Sequence, residues 1–505
     1  GGSRGCCSPT STPAVRGKFW RGFNLWVLHR PSPMPEKGTE LAQLVPPSVD
    51  ATSSFSNNGP RDGSDDARIL RLSEIIVTEM RAAALPLPPA PQTIYRVPEL
   101  LLAADKGAYQ PTFMPLGPYH RGDSDSATED MRRSQAGKPP NMALAMEMAG
   151  GGRPVAEFIE AIASMESEAR SCYDGDVAMG WDAFCMMLLF DGFQLITLLG
   201  FLGVSNGDEP TEKTGGGDAA GGPTPKTGHV TSLQHDLMML ENQIPFFVVR
   251  KMYALLHADA GSGPIVKLAW GTISNIMGGL WPASNPPPPE FQHLVHLCHI
   301  YLKPSNLQES LGPCGDYGGR FRRATEYYEA GVKFRRLHNE QAPLLDVSFL
   351  NGVLRMARHR FDENTNYILR NVLAYEQSYI RTATSGYVTA YVVFMSQLLG
   401  SPEDVALLSR RGVIEHHLGN DAEVCDLFRR LAEGLVFDPS SEHYLNAVGV
   451  KLGEHCRSRL NRWGAWVLRH RLANPWLAVA WLFGAMAVLG TIIQTIIAVL
   501  EYAQR

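Results

Sequence analysis

The sequence predicts a mainly α protein: a large helical domain with a minor β-hairpin, plus one C-terminal transmembrane helix. Three observations carry this reading. Apolar residues recur at helical density from Glu157 to Met165 and from Met179 to Leu202. A single Asn-Gly turn, Asn351-Gly352, sits between alternating runs. No charged residue occurs between Arg471 and Glu501, a run from Leu472 to Leu500.

Taken in chain order, the first 90 residues are dense in Ser, Pro, Gly and Asp. Stretches such as Ser53 to Asp66 bury too little apolar surface to offset chain entropy, so 1–90 is expected to be a disordered N-terminal region. Within it, Lys18 to Leu28 is too polar and interrupted for a signal-peptide core. Gly1 with Cys6 and Cys7 suggests acylation, but Gly5 stands where the myristoylation pattern wants Ser or Thr.

A helical globular domain is expected over 91–456. The segment from Met179 to Leu202 is apolar almost all round and is expected to be buried. Gly207 to Gly228 reads as a flexible surface insertion. Asp236 to Glu241 reads as a helix that stops before Ile244-Pro245, with Asn242 as a cap and Pro245 at the start of a helix from Phe246 to Leu256. Trp281 to Glu290 is proline-rich and expected to be extended and exposed.

Leu345, Val347 and Phe349 alternate with polar residues before the Asn-Gly turn, and Val353 to Met356 supplies the return strand. Asp362 to Thr365 offers N-caps for a helix from Tyr367 to Ser378. Breaks follow at Gly400-Ser401-Pro402 and at Asp438-Pro439-Ser440. No repeat of fixed period occurs, which argues against a solenoid.

The stretch 457–474 is a basic juxtamembrane segment, and 475–500 is the transmembrane helix. About 20 apolar residues cross a bilayer, and Trp476, Trp481 and Tyr502 mark its ends as interfacial aromatics do. Arg457, Arg459, Arg462, Arg469 and Arg471 precede it, so the positive-inside rule places the large domain in the cytosol. A late-inserting tail anchor is expected, with the lipid bilayer as one partner; plasma membrane and endoplasmic reticulum remain open. Leu460, Trp463 and Val467 at helical spacing allow that segment to lie along an anionic leaflet, the alternative being topology-setting charges alone. Deleting Pro475 to Arg505 is expected to release the remainder from membranes.

Composition narrows the function classes. Lys and Arg number 46 against 51 Asp and Glu, and 46 − 51 = −5 excludes a broadly basic nucleic-acid binder. The eight cysteines include no C-x-x-C, so they read as reduced core thiols. The absence of any N-x-[ST] acceptor agrees with a cytosolic face.

His293, His296, Cys298 and His299 have the residue types of a metal site, but offsets of 0, 3, 5 and 6 do not converge on one helical face. Asp236, Glu241 and Arg170 are candidate acid/base groups, for which ion pairing and capping is the competing role. No nucleophile elbow, P-loop or dinucleotide fingerprint occurs. No catalytic, cofactor-binding or metal residue is assigned, and no cofactor is expected. An uncharacterised hydrolase or transferase built from Glu241, Arg170, His120 and Asp191 is the alternative function.

Ordered blocks then carry a resemblance. They are Tyr95-Arg96-Val97-Pro98, Tyr109-Gln110-Pro111, Leu116-Gly117-Pro118-Tyr119-His120, Ala169-Arg170-Ser171-Cys172-Tyr173, Asp191-Gly192-Phe193, and Asp236 with Leu240-Glu241-Asn242-Gln243-Ile244-Pro245-Phe246. Ala330 to Phe334, Leu369-Arg370-Asn371, Tyr375-Glu376-Gln377 and Asn474-Pro475-Trp476 follow. Together they resemble the plant "domain of unknown function 247" family. That resemblance implies a largely helical, single-span plant membrane protein with no established enzymatic activity, some relatives being linked genetically to self-incompatibility in grasses. An interaction or signalling module with a protein partner is therefore expected. The Gly-rich insertion near Gly215 and the spelling at His293 to His299 depart from the family pattern.

Overall fold

A computed structural model describes residues 93–121, 128–150, 153–203, 227–257, 263–277, 287–305, 320–337, 343–379, 386–439, 443–458 and 475–503, with Arg71, Ser73, Glu74, Gly261 and Leu307. The chain divides into two units, Gly1–Pro89 and Ala90–Arg505. In the first, the three described residues are helical and exposed. Nearly all of the N-terminal region expected to be disordered, most of the Gly207–Gly228 insertion, Trp281 to Pro286 and most of the basic segment lie outside the described residues.

The second unit opens with α1 (Glu99–Ala104) and a short 3-10 turn over Lys106–Tyr109. Next come α2 (Glu129–Met148), capped by the Thr128 hydroxyl, α3 (Val155–Ser171) and α4 (Trp181–Leu202). α4 is the centre of the first half, with α2, α3, α6 (Phe246–Leu256) and α7 (Gly263–Ile276) packed around it. Its all-round apolar character is the reason it is buried, although Met186 and Phe201 remain on its open side.

The predicted helix through Asp236 to Glu241 is corrected. α5 (Thr227–Leu237) starts earlier and stops at Leu237, and residues 238–245 run as turns. Met238, Met239 and Leu240 are buried there without being helical. Apolar density reported burial and not conformation. Asn242 is not the cap of α6, whose N-cap position is Pro245 with no side-chain cap bond.

α8 (Leu294–Tyr301) and α9 (Ala324–Glu329) lead to β1 (Lys333–Arg336), β2 (Val347–Leu350) and β3 (Val353–Met356). β2 and β3 form the predicted hairpin, with Leu350 opposite Val353. Asn351 at φ 51° and Gly352 at φ 74° make the tight turn that this dipeptide favours. β1 adds to β3 in parallel, giving the order β1-β3-β2. This third strand was not legible, because Lys333, Arg335 and Arg336 flank a single apolar residue.

β4 (His359–Phe361) leads into α10 (Glu363–Tyr379), α11 (Tyr387–Leu398) and α12 (Pro402–Arg410). β5 (Ile414–His416), parallel to β4, precedes α13 (Asp421–Ala432) and α14 (Asn446–Arg457). The Asp362 carboxylate accepts from Asn364 N at 3.0 Å and Thr365 N at 3.1 Å, the N-cap anticipated there. α10 packs on α8, α11 and α13, which joins the two halves in one apolar core.

The last element, α15 (Pro475–Ala503), is a 29-residue apolar helix. Its Val479–Leu500 stretch has mean hydropathy 2.1 and makes no burial inside the protein, so it is a candidate membrane span. α4 is also long and apolar enough, but it is a core helix. Among the described residues Cys172, Cys185, Cys298 and Cys456 are buried and Cys425 is half-buried, and none of the five is in a disulfide.

Candidate functional site

The motif blocks meet along one polar seam, where residues 93–121 cross the joint between α5 and α6. Asp236 is fully buried and receives the loop over it. Its Oδ1 accepts from Thr112 N at 2.9 Å, and its Oδ2 from Phe113 N at 2.7 Å and Met114 N at 2.6 Å. Asn242 continues the pattern. Its Oδ1 accepts from Leu116 N at 2.6 Å, and its Nδ2 donates to Met114 O and Asp236 O, both at 2.9 Å. Gln243 donates to Leu237 O and Met239 O and accepts from Leu294 N. These amides supply partners for backbone that has left the helix, which is why the turn at 238–245 can be buried.

Gly117 fits this seam for a steric reason. Its φ is +66°, and a Cβ there would fall 2.6 Å from the Gln243 carbonyl oxygen. Beside it, Asp191 on α4 is fully buried and accepts from Gly117 N at 2.8 Å, Lys138 Nζ at 2.6 Å and Arg121 Nη2 at 2.5 Å. Lys138 also donates to Pro115 O at 2.7 Å. Burial pushes the Lys138 ammonium below its ordinary pKa, and Asp191 opposes that shift.

Toward the surface, Glu241 accepts from Val97 N at 2.8 Å and pairs with Arg96 at 3.3 Å, with His120 Nε2 3.9 Å away. The Arg96 guanidinium lies 3.7 Å from the centre of the Tyr119 ring. The Tyr119 hydroxyl sits between the carbonyls of Ile94 and Asp174, and burial raises its pKa.

Of the four residues of the alternative enzyme site, Glu241, His120 and Asp191 therefore border one seam. Arg170 does not: it binds Glu166 and the carbonyls of Val177 and Met179, stacked 4.2 Å from the Phe184 ring centre. Asp191 is enclosed by two cations and an amide, so it offers no open face to a substrate.

The histidines of α8 form a second cluster. His293 is the N-cap of α8: its Nδ1 accepts from His296 N at 3.3 Å while Nε2 donates to Thr93 O at 2.8 Å. Both nitrogens are engaged as in neutral imidazole, and burial, reinforced by His296, pushes its pKa down to about 3. His296 accepts from Gln292 N and is pushed down to about 4, first by burial and then by His299. His299 Nε2 lies 2.9 Å from Glu376 Oε1. Glu376 in turn caps α11, accepting from Val388 N at 2.9 Å and Thr389 N at 2.7 Å. The rings of His293, His296 and His299 all pack on Tyr375, at 5.4, 5.5 and 5.4 Å. Among the described residues no three His, Cys, Asp or Glu side chains are disposed to hold a metal ion.

Sequence reasoning missed Lys138 and the role of the α10 block. Asn371 donates to Ala108 O and accepts from Leu240 N, and Arg370 Nε lies 3.3 Å from Asp105. The signal for Lys138 was a cation ahead of Pro139-Pro140 in an otherwise helical stretch, which by itself specifies no partner.

The chain is 26% identical over 437 residues to the UPF0481 protein At3g47200 of Arabidopsis thaliana, covering 81% of this chain and 86% of that protein. It is 27% identical over 113 residues to the putative UPF0481 protein At3g02645 of the same plant, covering 22% of this chain and 21% of that protein. No solved structure matches. The model of the family described as plant protein of unknown function, DUF247, matches residues 94–490, so the chain belongs to that family.

Proposed function

We propose that this protein is a membrane-anchored interaction module, with α15 crossing the bilayer and the helical domain in the cytosol. The observation that carries the reading is α15 itself: an apolar helix whose Val479–Leu500 stretch is not buried against the described residues is suited to another apolar medium. The arginines of 457–471 support the cytosolic side through the positive-inside rule. The seam supports interaction over catalysis, because Asp191, Asp236, Asn242 and Gln243 are satisfied by the chain's own groups. A recognition or signalling role, with a protein partner, follows as the reading best matched to a rigid polar-sutured domain on a tether.

Protease treatment of sealed microsomes tests the orientation. Digestion of the domain with the vesicles intact is the expected result. Protection of the domain overturns the cytosolic placement and favours a role on the opposite face.

A further inference from the structure

The three-stranded sheet presents one apolar and one cationic face. Phe334, Leu354, Met356, Val347 and Phe349 point inward and are buried. The outward rows follow from the register: Arg335 beside Arg355 beside Ser348, and Lys333 beside Val353 beside Leu350. Lys333, Arg335 and Arg355 have no ion-pair partner among the described residues. Arg335 and Arg355 lie directly opposite each other, a like-charge arrangement that weakens strand pairing. Leu350 at the hairpin tip is 59% exposed.

The buried face of the same sheet packs on the element from which the chain leaves the domain. α14 packs on β2, the His455 ring contacts Phe349 at 5.5 Å, and a Cβ on Gly352 would fall 3.0 Å from His455 Cε1. His455 lies in the last turn of α14, which ends at Arg457, and α15 begins at Pro475. The intervening chain reaches about 60 Å at full extension, long enough for the outward face of the sheet to turn toward the bilayer that α15 enters.

We propose that the outward face of β1-β3-β2 docks on an anionic lipid bilayer, with Lys333, Arg335 and Arg355 over the headgroups and Leu350 inserted between them. The inference rests on reading α15 as a bilayer span. Charge complementarity and the tether favour lipid over a soluble polyanion, and an apolar tip beside cations suits the headgroup boundary. Each basic residue near such a surface contributes roughly a fivefold preference, so the three give about a hundredfold.

The test is hydrogen exchange on the full chain in nanodiscs of phosphatidylcholine with and without about 30% phosphatidylserine. Segments 333–336 and 347–356 are expected to exchange about tenfold or more slowly in the anionic discs, with the difference lost in high salt and in K333Q/R335Q/R355Q. L350E, a change at an exposed tip that does not endanger folding, is expected to weaken it as well. Equal exchange in both lipids, or an effect that survives in both variants, overturns the docking. Slower exchange on adding heparin to uncharged discs, with none in anionic discs, assigns the face to a polyanion and overturns the lipid. Failure of the chain to remain with carbonate-washed discs overturns the span and the inference together, whereas retention with equal exchange overturns the docking alone.

Discussion

Replacing Asn242 with alanine distinguishes a helix cap from a suture by magnitude. A lost cap costs about 1 kcal/mol. In the folded chain the Asn242 amide instead holds Leu116 N at 2.6 Å, Met114 O at 2.9 Å and Asp236 O at 2.9 Å, all at a site closed to solvent. Each buried backbone group left without a partner costs about 1–3 kcal/mol. With Leu116 N and Met114 O both orphaned, Asn242→Ala is expected to cost about 4 kcal/mol. Asn242→Asp keeps the acceptor for Leu116 N but turns a carboxylate oxygen toward two carbonyls, so it is expected to be no better. Urea denaturation of the full chain in detergent, followed by circular dichroism, measures the change. A loss of about 1 kcal/mol or less would refute the suture and restore the cap.

Three further outcomes follow from the same geometry. Lys138→Met leaves Asp191 buried with one cation fewer and is expected to cost about 3–5 kcal/mol; recovery of much of that loss in Lys138→Met with Asp191→Asn, read by melting temperature, checks that the cost is an uncompensated charge. Gly117→Ala requires a left-handed residue to carry a Cβ 2.6 Å from the Gln243 carbonyl, at about 2–4 kcal/mol; a melting temperature unchanged from the parent would remove the steric account. His293 and His359 are buried, with pKa pushed down to about 3 and about 4 from the usual 6.5. The unfolded chain therefore binds protons that the folded one refuses below pH 6.5, so their contribution is complete above that value and is lost as pH falls toward 4. At about 1.4 kcal/mol per pH unit for each histidine, the urea midpoint should drop steeply between pH 6.5 and 5, and a flat midpoint would count against neutral buried imidazoles.

Much of this fold could be read from residue pattern, and the failures share a cause. The Asn351-Gly352 hairpin was legible because the turn's positive φ values restrict which residues fit. α6 was legible because Pro245 marks where it starts, and α4 because its apolar residues leave no polar face. The stretch Asp236 to Leu240 was misread because it is buried at every position, and burial on all sides carries no period that separates helix from turn. Apart from Asp236 O, six residues before Asn242, the partners of Asp191 and Asn242 lie 53 to 128 residues away, so nothing local to either residue identifies them. That Glu241, Asn242 and Gln243 form a structural joint was legible in outline; which backbone groups they hold was not. β1 pairs through a parallel ladder whose strand carries three cations in four residues, the reverse of a strand signature.

The seam also sets a timetable for synthesis. The Asn371 amide reaches back 263 residues to the Ala108 carbonyl, and His293 reaches back 200 to Thr93. At about 5–20 residues per second, residues 93–121 leave the ribosome roughly 13–50 s before α10 exists to hold them. Through that interval the apolar side of the segment, including Ile94, Tyr109, Met114 and Leu116, has no finished core to enter. α15 begins about a hundred residues after Glu376, so at the same speed the seam gains its last strap roughly 5–20 s before the apolar tail is made. A chain delayed in closing would thus expose two hydrophobic segments at once, and the cell would have to shield both.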